Sequence, residues 1–130
     1  MATLLAADIG GTKSELALFE SADQCCTPLF ARKYASGDYS GVSDIISAFL
    51  LESGITPLYA SIGVAGIVAG REAQFTNLPW RVHCSHLEQQ FSLEKVVLVN
   101  DLTALCSAIS RVFCLKTMTG FFFFFRKAGM

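Results

Sequence analysis

The chain has 130 residues, 52% of them apolar and 16% charged, with ten Lys and Arg against eleven Asp and Glu for a formal charge of −1. That length fits one domain of ordinary size, and so apolar a composition excludes long disorder while allowing a sizeable core. No basic run is present to neutralise a phosphate backbone by counterion release, so nucleic acid is not an expected partner.

In chain order, residues 2–9 are apolar enough for a strand buried on both faces, Ser14–Glu20 alternates as a second strand, and Leu29–Ala35 supplies a third after a polar loop. Three strands in succession predict an antiparallel meander. Val42, Ile45, Ile46, Phe49 and Leu50 then fall on one stripe of a helix, which Ser40 is placed to cap and Gly54 to end. Leu58–Val64 reads as another buried strand, and Ile67–Phe75, with Gly70-Arg71 at its middle, as a hairpin. Ser85 and Glu88 have capping-box spacing, predicting a short helix over Ser85–Phe91. Lys95–Asn100 is a fifth core strand, with a helix starting at Leu102–Ile109. The alternation of strands and helices in the second half implies parallel strands, so the fold class is α/β: a ribonuclease-H-like mixed sheet flanked by helices. Such a sheet places functional groups beyond the carboxyl ends of its strands, where Asp8 and Asp101 fall.

Asp8-Ile9-Gly10-Gly11-Thr12-Lys13 offers a turn without β-carbons, letting backbone N–H groups approach an anion closely beside a hydroxyl and a lysine. The same residues also suit an ordinary hairpin, since Gly-Gly is a common two-residue connection. A Walker A loop is excluded: Thr12, not Gly, precedes Lys13, and a strand follows. Asp101, after the run Val96–Val99 and Asn100, can by itself be read as a helix cap.

Together, "DIGGTKSELALF", "GVAGIVAGREAQFTNLPW" and "VVLVNDLTALCSAI" resemble, in order and approximate spacing, the bacterial-type glucokinase family of the actin, sugar-kinase and heat-shock ATPase superfamily. The resemblance covers residues 4–109, the amino-terminal lobe. It implies an ATP-dependent hexose kinase that phosphorylates glucose or a similar hexose. In it Asp8 helps hold Mg2+ through water, Gly10, Gly11, Thr12 and Lys13 line the ATP phosphates, Asn100 binds a sugar hydroxyl, and Asp101 binds the sugar and acts as the base. One carboxylate near the metal and another near the nucleophile suit a reaction that is mostly positioning and charge neutralisation. Both acids are expected at neighbouring strand ends on one cleft side. By the same analogy Asn77 approaches the sugar, although "TNLPW" reads equally as a loop anchored by Pro79 and Trp80, and Asn77 is not counted among the site residues.

The division expected is 1–109 as the amino-terminal lobe and 110–130 as a divergent apolar tail, of the kind a frameshifted or truncated reading frame produces; a chain with one lobe is expected to be inactive alone, as a catalytically silent fragment or pseudoenzyme. Its run Phe121–Phe125 falls far short of the ~20 apolar residues of a membrane-spanning helix. Five cysteines, odd in number and without a C-x-x-C pair, fit neither a disulfide framework nor a zinc site. With no secretion signal at the amino terminus, the expectation is a cytoplasmic protein without a membrane partner. His83 and His86 read as solvated or capping residues, and Gly63, Gly66 and Gly70 miss the dinucleotide spacing. A nuclease is disfavoured because Leu58–Val64 ends without an acid and no basic track exists. A sugar-responsive repressor is disfavoured because only seven residues precede Asp8.

Overall fold

The computed structural model describes residues 2–22 and 25–100. Strands β1 (Ala2–Ile9), β2 (Lys13–Ala22) and β3 (Cys25–Ala35) form the expected meander, antiparallel at both junctions. The third begins at Cys25 rather than Leu29. Pro28 is admitted because β3 is an edge strand, where a missing N–H need not break a ladder bond. The register shifts there: Leu18 faces Phe30 and Phe19 faces Pro28, so Leu29 is the extra residue and is left exposed.

Helix α1 (Val42–Ser53) buries Val42, Ile45, Ile46 and Phe49, the expected stripe. Gly54 ends it with a φ of +68° and donates its N–H to the Leu50 carbonyl at 2.9 Å, the left-handed exit that glycine adopts without strain. The Ser40 cap does not form. Gly41 occupies the N-cap with no side-chain bond, and the Ser40 hydroxyl donates instead to the Asp44 carboxylate.

Strand β4 (Tyr59–Val64) pairs parallel with β1, and β8 (Lys95–Val99) parallel with β4, giving a five-stranded sheet of order β3-β2-β1-β4-β8. This is the expected ribonuclease-H-like mixed α/β sheet. Between β4 and β8 the chain builds a second sheet from β5 (Gly66–Ala69), β6 (Glu72–Phe75) and β7 (Arg81–His83). Its hairpin turns at Gly70-Arg71 as expected; β7, three residues long, is additional. Helix α2 (Cys84–Gln90) starts one residue early, so Ser85 lies inside it and caps nothing. Glu88, the other half of the expected capping box, instead takes Arg71 and the Val96 N–H, the latter at 2.8 Å.

One face of the large sheet presents Leu5, Ala7, Ile9, Leu16, Leu18, Ala60, Ile62, Val64, Val96 and Leu98 to the core. On this side α1 packs against β2 and β3, and α2 against β7 and β8. Phe49 is fully buried, its ring 5.6 Å from that of Phe30; burying such a side chain contributes about 1.5–3 kcal/mol. Leu4, Ala6, Ala17 and Phe19, on the opposite face, are buried too, which explains why β1 shows no alternation.

Candidate functional site

Strands β1, β4 and β8 run parallel, so their carboxyl ends open onto one edge of the sheet. Asp8 lies at that edge on β1 and Asn100 follows β8, where it is exposed. The two strands are not neighbours. With β4 between them, at roughly 4.8 Å per strand, their ends stand about 10 Å apart, a gap wide enough for a phosphate group. Asp101, the helix expected at Leu102–Ile109 and residues 110–130 lie outside the described residues.

Asp8 pairs with Glu15 on β2 and with Gly63 on β4, and Gly63 pairs with Val99 on β8. Paired residues project to the same face. Asp8 and Glu15 are therefore adjacent carboxylates, while Gly63 places no side chain between Asp8 and β8. Burial pushes the Asp8 carboxyl above its ordinary range. Glu15 is raised by burial and then by the Asp8 charge, with Lys33 and Lys13 acting in the opposite direction. Both carboxyls are thus held above their ordinary range beside the turn.

The turn is not a two-residue hairpin. The last ladder pair is Ile9 with Ser14, leaving Gly10–Lys13 as the loop, and neither glycine has a positive φ, which the common two-residue turns require. The glycines are needed for space. A β-carbon on Gly10 would lie 2.9 Å from the Lys13 carbonyl oxygen, and one on Gly11 would lie 3.2 Å from the Asn77 β-carbon. Gly10 donates its N–H to the Lys13 carbonyl at 3.0 Å, and among the described residues the Gly11 and Thr12 amides reach no backbone acceptor. Thr12 and Lys13 are exposed. Amides without a backbone acceptor, with an exposed hydroxyl and an ammonium beside them, suit a polyphosphate.

Asn77 is brought to this turn by an anchored loop. Phe75 N–H donates to the Trp80 carbonyl at 3.0 Å, Thr76 N–H to the Ala65 carbonyl at 3.1 Å, and the Phe75 and Trp80 rings meet edge-on at 5.6 Å. The sequence showed the anchor but carried no signal for the contact with Gly11, which spans 66 positions of chain.

Elsewhere, His83 occupies the N-cap of α2 without a side-chain cap bond, its Nδ1 lying 3.1 Å from a Glu72 carboxylate oxygen and its ring 5.0 Å from that of His86. Cys84 is a free, buried thiol whose pKa is raised by burial. Among the described residues, no three His, Cys, Asp or Glu side chains converge as a metal cage, and no helix is long and apolar enough to cross a membrane. A Mg2+ ion commonly rests on one or two carboxylates, water and substrate phosphates, so Asp8 beside the turn fits such an ion without a cage.

The glucokinase family model matches residues 5–118, running past Ile109. The chain is 34% identical over 112 residues to the glucokinase of Nostoc punctiforme, covering 85% of this chain and 33% of that protein. It is 32% identical over 108 residues to the glucokinase of Paramagnetospirillum magneticum, covering 82% and 33%. Among solved structures, a glucokinase from an Antarctic psychrotroph superposes with a TM-score of 0.71 at 28% identity, over 80% of this chain and 34% of that one. A Balamuthia mandrillaris glucokinase, solved with glucose, shares the fold at a TM-score of 0.58 and 21% identity, over 84% and 32%. The chain thus spans about a third of the length of the relatives it matches.

Proposed function

The chain belongs to the glucokinase family, and from that membership we propose that it forms the phosphate-binding lobe of an ATP-dependent hexose kinase converting glucose to glucose 6-phosphate. The observation that carries this reading is the shared edge: the Asp8–Lys13 turn and Asn100 end parallel strands on either side of β4. In this assignment ATP with Mg2+ supplies the phosphoryl group and offsets its charge. Gly10, Gly11, Thr12 and Lys13 would hold the phosphates, and Asp8 would help hold the Mg2+ ion through water. Asn100 would fix a sugar hydroxyl, and Asp101 would accept the proton of the primary hydroxyl as its oxygen bonds to the γ-phosphorus and the bond to the bridging oxygen breaks, releasing ADP. Such a reaction fits a cytoplasmic protein.

A second reading, that this polypeptide binds phosphate without turning over glucose, follows from its spanning a third of its relatives. Phosphoryl transfer needs both substrates held in a site that excludes water. Two measurements separate the readings. The purified chain, given ATP, Mg2+ and glucose, is expected to form no glucose-dependent ADP. A chimera continuing from residue 118 into the rest of the Nostoc punctiforme glucokinase is expected to form it, and Asp101→Ala in that chimera to lower kcat roughly 100- to 10,000-fold with little change in the glucose KM. A fully active Asp101→Ala chimera would remove Asp101 from the mechanism, and turnover by the short chain would remove the second reading.

A further inference from the structure

A single 3-10 turn, Ser36–Asp38, follows β3 and carries one fully buried residue, Ser36. Its hydroxyl donates to the Gly10 carbonyl at 2.7 Å and lies 2.7 Å from the hydroxyl of Ser14, which is also fully buried. Its backbone N–H donates to the Thr12 carbonyl at 2.9 Å. Ser36 therefore grips the 10–13 loop at two carbonyls from beneath, through a side chain and an amide belonging to the same residue. Each carbonyl so held turns its peptide plane, and with it the amide of the next residue, Gly11 or Lys13, into a fixed direction.

We infer that Ser36 is a positioning residue for the phosphate turn: it holds the Gly10 and Thr12 carbonyls so that the free Gly11 amide is aimed in a fixed direction and the loop presents a preformed polyphosphate cradle. This rests on the phosphate-binding reading of the turn. The geometry separates Ser36 from its partner. Ser14 is equally buried and shares the same hydroxyl contact, but no bond runs from its hydroxyl to the loop. Loss of either hydroxyl leaves a buried polar group short of a partner, whereas only loss of the Ser36 hydroxyl frees the Gly10 carbonyl. Preorganisation spares the loop an ordering cost on binding.

The test titrates inorganic tripolyphosphate with Mg2+ into the 130-residue chain and its Ser36→Ala and Ser14→Ala variants. Ser36→Ala is expected to weaken binding roughly tenfold and Ser14→Ala by less than about twofold; Ser36→Cys, keeping the shape with a poorer donor, is expected between them. Equal losses in the two alanine variants, or none in Ser36→Ala, would overturn the assignment. Amide hydrogen exchange supplies a readout that needs no ligand. In Ser36→Ala the Gly10 amide is expected to exchange roughly tenfold faster while α1 amides keep their protection, and in Ser14→Ala the Gly10 amide is expected to hold. An unchanged Gly10 amide in Ser36→Ala overturns the positioning role even if the unaltered chain binds no tripolyphosphate, a result that would instead count against the phosphate reading.

Discussion

The layer beneath α1 and the turn at residues 10–13 lie on the same sheet and are held by different forces. Under α1, Ile45, Ile46 and Phe49 are fully buried against Leu16, Leu18 and the ring of Phe30, and contact between apolar surfaces supplies the stability. At the turn, order comes from directed hydrogen bonds to two carbonyls and from two missing β-carbons. Apolar packing tolerates swaps that conserve volume. A turn defined by bond directions and close contacts can absorb a small substitution with little loss of stability and still lose its geometry. If the turn binds phosphate as proposed, substitutions in the two regions should dissociate stability from binding.

The largest expected effect is in the core. Phe49→Ala removes a fully buried ring and should lower unfolding free energy by about 3–5 kcal/mol, read by urea denaturation. Tripolyphosphate affinity of the fraction still folded should be unchanged; a parallel loss would mean that the two regions are coupled. Gly11→Ala should reverse the pattern. Its new β-carbon would meet the Asn77 β-carbon at 3.2 Å, a contact the exposed Asn77 loop can relieve by a small shift, so stability should fall by less than about 1 kcal/mol. Tripolyphosphate binding should nevertheless weaken, and unaltered affinity would argue that the cradle does not use this side of the turn.

The smallest effect is a gain. Because burial raises the folded-state pKa of Asp8, ionising it costs more in the folded chain than in the unfolded one. Below the ordinary carboxylate range the group is protonated in both states and imposes no penalty. Stability is lost as pH rises from that range through the raised folded value, and the loss persists at neutral pH. Asp8→Asn should therefore melt higher than the unaltered chain at pH 7, with the difference shrinking toward pH 3, and it should lose Mg2+-dependent phosphate binding. Relief of Glu15, whose carboxyl is raised in part by Asp8, works in the same direction. A lower melting temperature at pH 7 would mean that Asp8 stabilises the fold as well as serving the site.

Much of the architecture was legible because it follows local periods. The unbroken apolar β1, the stripe of α1 and the glycine that ends it each declare themselves within a dozen residues. Short or interrupted elements were harder. Strand β7 has three residues and one buried side chain, Val82, too few to show a period. The start of β3 is hidden by Pro28, which a central strand would not admit and an edge strand does. The two expected helix caps failed for different reasons: the Ser40 hydroxyl is taken by Asp44 in the first turn of the same helix, whereas α2 starts one residue before Ser85 and Glu88 is claimed by Arg71 and the Val96 N–H from elsewhere in the fold.

The sequence by itself determined the chemistry of the edge: an acid at a strand end, two adjacent glycines in the turn, a hydroxyl and an ammonium beside them, and Asn100 after a buried strand. These are properties of residue type and short spacing, which a linear reading contains. Only the tertiary structure decided that β4 separates Asp8 from Asn100, that Asn77 closes over Gly11, and that Ser36 reaches under the turn to Gly10, 26 positions away. Contacts of that kind depend on strand order and register, which fix where distant segments meet and which leave no periodic trace in the segments themselves.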